Sequence, residues 1–239
     1  IFTYQYKAQQ FQEIMSQQLG NYHYYVVMPH LIEEDDENLK CLKKIPSDRL
    51  IILDHSFSNL SLTFASIVSK PISQIKKVFN TQLNLFNKYH SFNLVLTEED
   101  YFDADLINGC SKFCESISMN FQVLDGLDED EMRLGEIYFT LADCDLAKAI
   151  HYADKNGFEV GKDIGLIGYN DSCFKELLAG GISVISSQPN QMGKMAAEMI
   201  QENLISGDAE TMLTNAMTAS FAKVDEVVSG TGTTQSIPV

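Results

Sequence analysis

Val160-Gly-Lys-Asp-Ile-Gly-Leu-Ile-Gly-Tyr-Asn-Asp171 carries a short apolar strand, Ile164 to Ile167, ended by two polar turn residues, Asn170 and Asp171. The run is apolar on both parities, as a strand must be when helices cover both faces of its sheet. Upstream, Leu146, Ala149, Ile150 and Ala153 recur at spacings of three and four, and Asn156-Gly157 stops that helix. A helix leading into a doubly covered strand is half of a parallel α/β repeat.

The same alternation extends in both directions. Further strands are expected at Ile1 to Tyr6, Tyr24 to Met28, Leu50 to Leu53, Phe64 to Val68, Phe92 to Leu96, Phe121 to Leu124, Ile137 to Leu141 and Ile182 to Ile185. Helical stripes lie between them. Phe11, Ile14, Met15 and Leu19 form one, closed by Gly20; Ile72, Ile75, Phe79, Leu83 and Phe86 form another. Met192, Met195, Ala196, Met199, Ile200 and Leu204 form a third, with Gly207 placed to terminate it. Its methionines read as core, because they keep helical spacing.

The 239 residues amount to about 1.6 domains at roughly 150 residues each. A net charge of −16 repels phosphate backbones, so this polypeptide is not itself a nucleic-acid-binding surface. No apolar window is long enough to span a bilayer. A hydrophobic content of 45% excludes wholesale disorder. Five cysteines, an odd number spread through core segments, argue for reduced thiols and a cytoplasmic location. Cys110 and Cys114 lie one helical turn apart, but without a CxxC or a His pair they read as buried thiols and not as metal ligands. The chain opens on the apolar run Ile1-Phe2-Thr3-Tyr4, with neither an initiator methionine nor a signal-peptide n-region, and is read as trimmed.

The acidic clusters Glu33 to Glu37 and Asp128 to Glu131 lack the alternation and central glycine of a calcium loop, and read as solvated helix entrances. The stretch from Ser229 to Val239 reads as a tail. No phosphate-binding glycine loop, HExxH or GxSxG motif is present, and the five histidines are scattered. No cofactor, metal or enzymatic activity is therefore expected.

What remains is a recurring position. In open parallel sheets, ligands bind at the C-terminal strand edge. His30, Asp54, Ser69 with Lys70, Glu98, Asp143 with Asp145, and Asn170 with Asp171 each follow an expected strand. Each has a plainer role open to it. Asp143 and Asp145 fit helix caps, Asn170 and Asp171 fit turn formers, Asp54 fits a loop, and His30 beside Pro29 fits a bend.

The Val160–Asp171 segment, followed by Ile182-Ser-Val-Ile-Ser-Ser-Gln-Pro-Asn-Gln-Met-Gly193 and Ala196-Ala197-Glu198, resembles the effector-binding domain of the lac/gal repressor family. Leu141-Ala-Asp-Cys-Asp-Leu-Ala147 resembles the family's A-N-D-x-x-A turn. The likeness is strong from 137 to 204 and co-linear from 22 to 136. Tyr25-Val-Val-Met-Pro-His30 and Asp48-Arg-Leu-Ile-Ile-Leu-Asp54 are similar to a subgroup in which the sensor is attached to a GntR-type winged helix.

The resemblance implies an α/β fold of two Rossmann-like lobes with parallel sheets, of the periplasmic-binding-protein-like type I class. It places residues 1–89 plus 189–214 in the N-terminal lobe and 90–188 plus 215–239 in the C-terminal lobe. Three crossovers fall near Tyr89 to Ser91, Ser186 to Gln188 and Leu213 to Met217. On the same resemblance, this chain is expected to lack the family's first strand, its helix and the DNA-binding module.

A sugar or sugar-like effector held between the lobes would favour one lobe angle and so control DNA binding in a homodimer, provided it binds one arrangement better than the other. Contact with DNA comes only through the absent module, and no membrane is involved. The expected ligand-binding residues are His30, Ser69, Lys70, Glu98, Phe102, Asp143 and Asn170, with Phe102 equally suited to sugar stacking or to core packing. Three departures from the pattern bear on the ligand. Leu106 stands where many sugar-responsive members have Arg, Ala142 replaces the Asn of the A-N-D turn, and Asn170 replaces an Asp. A periplasmic sugar-binding protein of a transporter is the alternative reading, because it shares the fold.

Overall fold

The computed structural model of the chain describes residues 1–31, 39–54, 65–68, 71–97, 104–128, 130, 132–180, 182–202, 205, 210–212, 218–221 and 235–238. The chain divides into two compact units, Ile1–Ser69 with Pro189–Ala216 and Lys70–Gln188 with Met217–Val239. It therefore passes between them three times.

The first unit holds β1 (Tyr25–Val27), β2 (Leu50–Leu53), β3 (Ala65–Val68) and β9 (Glu210–Met212), paired in that order and all parallel. In β2 successive side chains serve two cores. Leu50 and Ile52 pack with Phe11 and Met15 of helix α1 (Ala8–Gln18) and with Leu31, Leu39, Leu42 and Ile45. Ile51 faces the other way, with Ala65, Ile67 and the Met192, Ala196 and Met199 stripe of the helix Pro189–Gln201. This explains why the strand is apolar at every position. Full burial of one such isoleucine is worth about 1.5–3 kcal/mol.

In the second unit the sheet runs β11-β10-β8-β7-β6-β4-β5, from β4 (Ser91–Leu96), β5 (Asn120–Asp125), β6 (Glu136–Thr140), β7 (Gly165–Tyr169), β8 (Ser183–Ser186), β10 (Thr218–Phe221) and β11 (Gln235–Pro238). The five strands from β4 to β8 pair in parallel, whereas β10 and β11 run antiparallel. Phe92, Leu94, Ile137, Phe139 and Ile167 pack on one face against α2 (Pro71–Asn80), α3 (Leu83–Phe86) and α4 (Ala104–Ser116). On the other face, Val95, Tyr138, Leu166 and Val184 meet Leu146, Ala149 and Ala153 of α5 (Asp143–Asn156). A short helix, α6 (Cys173–Leu177), follows β7, and the helix Pro189–Gln201 of the first unit is α7.

Several expectations meet their outcome here. Gly157 ends α5 in the left-handed region at φ 70°, the conformation its sequence position asked for. Cys110 and Cys114 are buried in the core. Leu106 lies in that same core.

Ile1 to Tyr6 is not a strand. Gln5 and Tyr6 adopt positive φ of 48° and 60°, and Ile1 and Phe2 are exposed without a strand partner. Nor is 229–239 wholly a tail, since Gln235–Pro238 pairs with β10. The acidic run 33–37 lies outside the described residues. Asp128 and Asp130 sit in the β5–β6 connection, with Asp128 Oδ1 accepting the Asp130 N–H at 3.0 Å.

Candidate functional site

Parallel strands deliver their C-terminal ends to one edge of each unit. In the second unit, that edge is organised around β7. The chain leaves β7 through Asn170 at φ 56°, and the Asn170 N–H continues the ladder by donating to Ile185 O at 2.7 Å. Asparagine tolerates this left-handed conformation better than most side chains. Its amide is fixed as well: Oδ1 accepts from Ser187 N at 3.3 Å and from Ser187 Oγ at 3.1 Å. Nδ2 has no acceptor among the described residues, so two donors point away from a rigid mount.

Behind Asn170 lies a residue that strand-end reasoning did not pick out. Lys175, on α6, is only 4% exposed. Its ammonium donates to Tyr169 O at 2.6 Å and Asn170 O at 2.7 Å, and it meets Asp143 Oδ1 at 2.9 Å. Two of its N–H bonds thus go to backbone carbonyls, and its charge is matched by the carboxylate. The slot depends on Gly168: a Cβ there would lie 3.3 Å from Lys175 Cε and 3.4 Å from Nζ. A buried charge of this kind is tolerable only because it is paired and hydrogen-bonded.

Asp143 opens α5, but the N-cap position belongs to Ala142, so neither Asp143 nor Asp145 caps the helix. Both stand in its first turn, where the helix dipole favours negative charge. Each carboxylate has a lysine partner, Asp145 with Lys148 at 2.8 Å and Asp143 with Lys175. The Asp143 side chain is 76% exposed, and its second oxygen faces outward as an acceptor. The edge therefore offers a carboxylate acceptor beside fixed amide donors. That combination suits hydroxyl groups, which donate and accept at once.

The first unit repeats the strand-end device. Asp54 leaves β2 at φ 54°, and its N–H donates to Ile67 O at 2.8 Å. His30 Nε2 lies 3.1 Å from Asp54 O and 3.7 Å from Asp54 Oδ2, with both side chains 12% exposed. The strand-end loop is tied down by the Tyr4 hydroxyl, which donates to Met28 O; burial pushes that phenol up to about 12. His30 and Asp54 thus come together in one unit, and Asp143 and Asn170 in the other. Ser69, Lys70, Glu98 and Phe102 lie outside the described residues.

Comparison with known proteins agrees with this architecture. Residues 137–219 match the family model of a periplasmic binding protein-like domain. No curated protein matches the chain. Among solved structures, a transcription regulator-like protein from Staphylococcus haemolyticus is similar at TM-score 0.68 and 14% identity, covering 88% of this chain and 78% of its own. The trehalose repressor from Escherichia coli is similar at TM-score 0.65 and 13% identity, covering 90% and 84%. A LacI-family transcriptional regulator from Lactobacillus casei, with bound sucrose, is similar at TM-score 0.66 and 12% identity, covering 85% and 79%.

Similar structures that carry a family label in their descriptions are called LacI-family proteins, which overturns the narrower expectation of a GntR-type regulator. The short segments that suggested that subgroup, at 25–30 and 48–54, are β1, β2 and the residues that flank them in the first unit's sheet, and these carry no information about an attached module. The chain has the two-lobed α/β fold of the periplasmic-binding-protein-like type I class, its two units joined by crossovers.

Proposed function

We propose that this chain is the ligand-sensing domain of a LacI-type, sugar-responsive transcription regulator and is not an enzyme. The observation that carries the reading is Asn170, whose backbone and Oδ1 are fixed while its Nδ2 is left open, beside the exposed Asp143 carboxylate. A site meant for proton transfer or nucleophilic attack needs a poised base or nucleophile, whereas a polyol needs fixed donors and acceptors. The similar structures support the same direction, since one holds sucrose and another is a trehalose repressor. We assign His30, Ser69, Lys70, Glu98, Phe102, Asp143 and Asn170 to effector binding.

Cytoplasmic location and homodimeric assembly belong to the same proposal. All five cysteines are free, which supports a reducing compartment. Among the described residues, no helix is long and apolar enough to cross a membrane.

Calorimetric titration with sucrose, trehalose, maltose, cellobiose and ribose tests the reading. At least one sugar is expected to bind. Asn170→Gly, which keeps the left-handed backbone while removing the amide, is expected to weaken that sugar by up to roughly tenfold. Unchanged affinity in the variant removes Asn170 from the site.

A further inference from the structure

We propose that Lys175 is a positioning residue which, by committing its ammonium to two carbonyls and the Asp143 carboxylate inside the second unit, makes this strand edge select an uncharged polyhydroxyl compound over its phosphate ester. The inference rests on the effector-binding reading above and deepens it. A lysine beside a ligand site would ordinarily be assigned to an anion. This one is already committed inside the unit, because Tyr169 O and Asn170 O accept two of its N–H bonds and the Asp143 carboxylate pairs with its charge. Its charge is met by the Asp143 carboxylate, and its Nζ is screened by burial of the residue to 4% exposure.

Among the described residues of this strand edge, each cation already has a carboxylate partner. Across the first two turns of α5 and the β7–α6 connection, the described cations are Lys148 and Lys175. What faces outward is the second Asp143 oxygen, an acceptor that repels a phosphate dianion, and the Asn170 amide, a neutral donor. Lys175 sets the geometry of both. It holds the two carbonyls that turn the chain into Asn170, and it anchors one oxygen of Asp143 so that the other is presented. Gly168 leaves room for that lysine and for little else.

The test is calorimetric titration of the intact protein with matched pairs: glucose and glucose 6-phosphate, ribose and ribose 5-phosphate, trehalose and trehalose 6-phosphate, sucrose and sucrose 6-phosphate. The neutral member of the preferred pair is expected to bind at least roughly tenfold more tightly than its ester. Asp143→Asn leaves the Lys175 charge unmatched on an exposed and well-tolerated position, so the preference for the neutral member should narrow by roughly tenfold. A merely structural role would weaken both members alike. Lys175→Met should lose roughly tenfold to a hundredfold in neutral-sugar affinity, and Lys175→Arg should recover part of it. An ester that binds as tightly as its parent sugar overturns the proposal while leaving the effector reading in place, as does an unchanged preference in Asp143→Asn. If no member of any pair binds, the effector reading fails, and this inference fails with it.

Discussion

Lys175 Nζ stands 2.9 Å from Asp143 Oδ1, yet the lysine side chain is 5% exposed and the aspartate side chain 76%. The pair is therefore asymmetric in what its loss would cost. Removing Asp143, itself 76% exposed, opens a path for water to the ammonium while both carbonyl acceptors stay, so Asp143→Ala should cost less, about 1–2 kcal/mol. Without Lys175, two carbonyls at the end of β7 lose their buried donor, and Lys175→Met should cost about 2–4 kcal/mol. Urea unfolding of the single variants checks this, and equal losses would contradict it.

Gly168 provides a second route to the same lysine. A methyl group at 3.3–3.4 Å from Lys175 Cε and Nζ forces the side chain to shift by a few tenths of an ångström in a slot with no slack. Gly168→Ala should therefore destabilise by about 1–3 kcal/mol, and the loss should shrink when Lys175→Met is already present. A double-mutant cycle measures that coupling. Strict additivity would show that the close approach carries no strain.

The cysteines should separate by reactivity. Burial pushes the Cys114 thiol up to about 12 and the Cys110 thiol well above its ordinary value, while Cys144 and Cys173 are exposed. Only the thiolate reacts, so at pH 8 Cys114 would present about one thiolate in ten thousand even with free access. Two cysteines should label quickly with a thiol reagent, and Cys110 and Cys114 should label only on unfolding. Raising the pH speeds any residual reaction at Cys114, because its thiolate fraction grows up to about pH 12. Peptide mapping after timed labelling reads the order.

Phe79 sits at the meeting point of the second unit's helices, with ring centroids 4.8 Å from Phe113, 5.0 Å from Phe86 and 5.7 Å from Phe92. It is fully buried, so Phe79→Ala opens a cavity among four elements at once. A loss of about 3–5 kcal/mol is expected in thermal or urea unfolding. A loss below about 1 kcal/mol would mean that the aromatic cluster collapses around the gap.

Where a residue's role is set by its own strand or helix, the sequence displayed it. Leu50 to Leu53 is apolar at every position because both faces of β2 are covered, and Gly157 marks a real helix end. Asn170 and Asp143 could be found as strand-end residues because the parallel topology fixes which edge they occupy. Ile1 to Tyr6 misled because an apolar run becomes a strand only when another strand lies beside it, and none does among the described residues. Gln235–Pro238 was missed for the opposite reason. Its Ser, Thr and Gly surroundings look like a terminus, and only its register with Thr218–Phe221 makes it a strand. Lys175 gave no local signal at all. Its flanking Phe174 and Leu177 are exposed while the lysine is buried, an inversion that tertiary packing imposes.

The left-handed backbone at Asp54 and Asn170 also limits how this chain can change over time. Positions of that kind accept Gly, Asn or Asp readily and other residues at a cost. Descendants therefore have a very short alphabet to write with at 170. Most substitution must fall to neighbours with ordinary backbones, such as Ser187 and Asp143, so the two strand exits stay fixed while the residues around them drift.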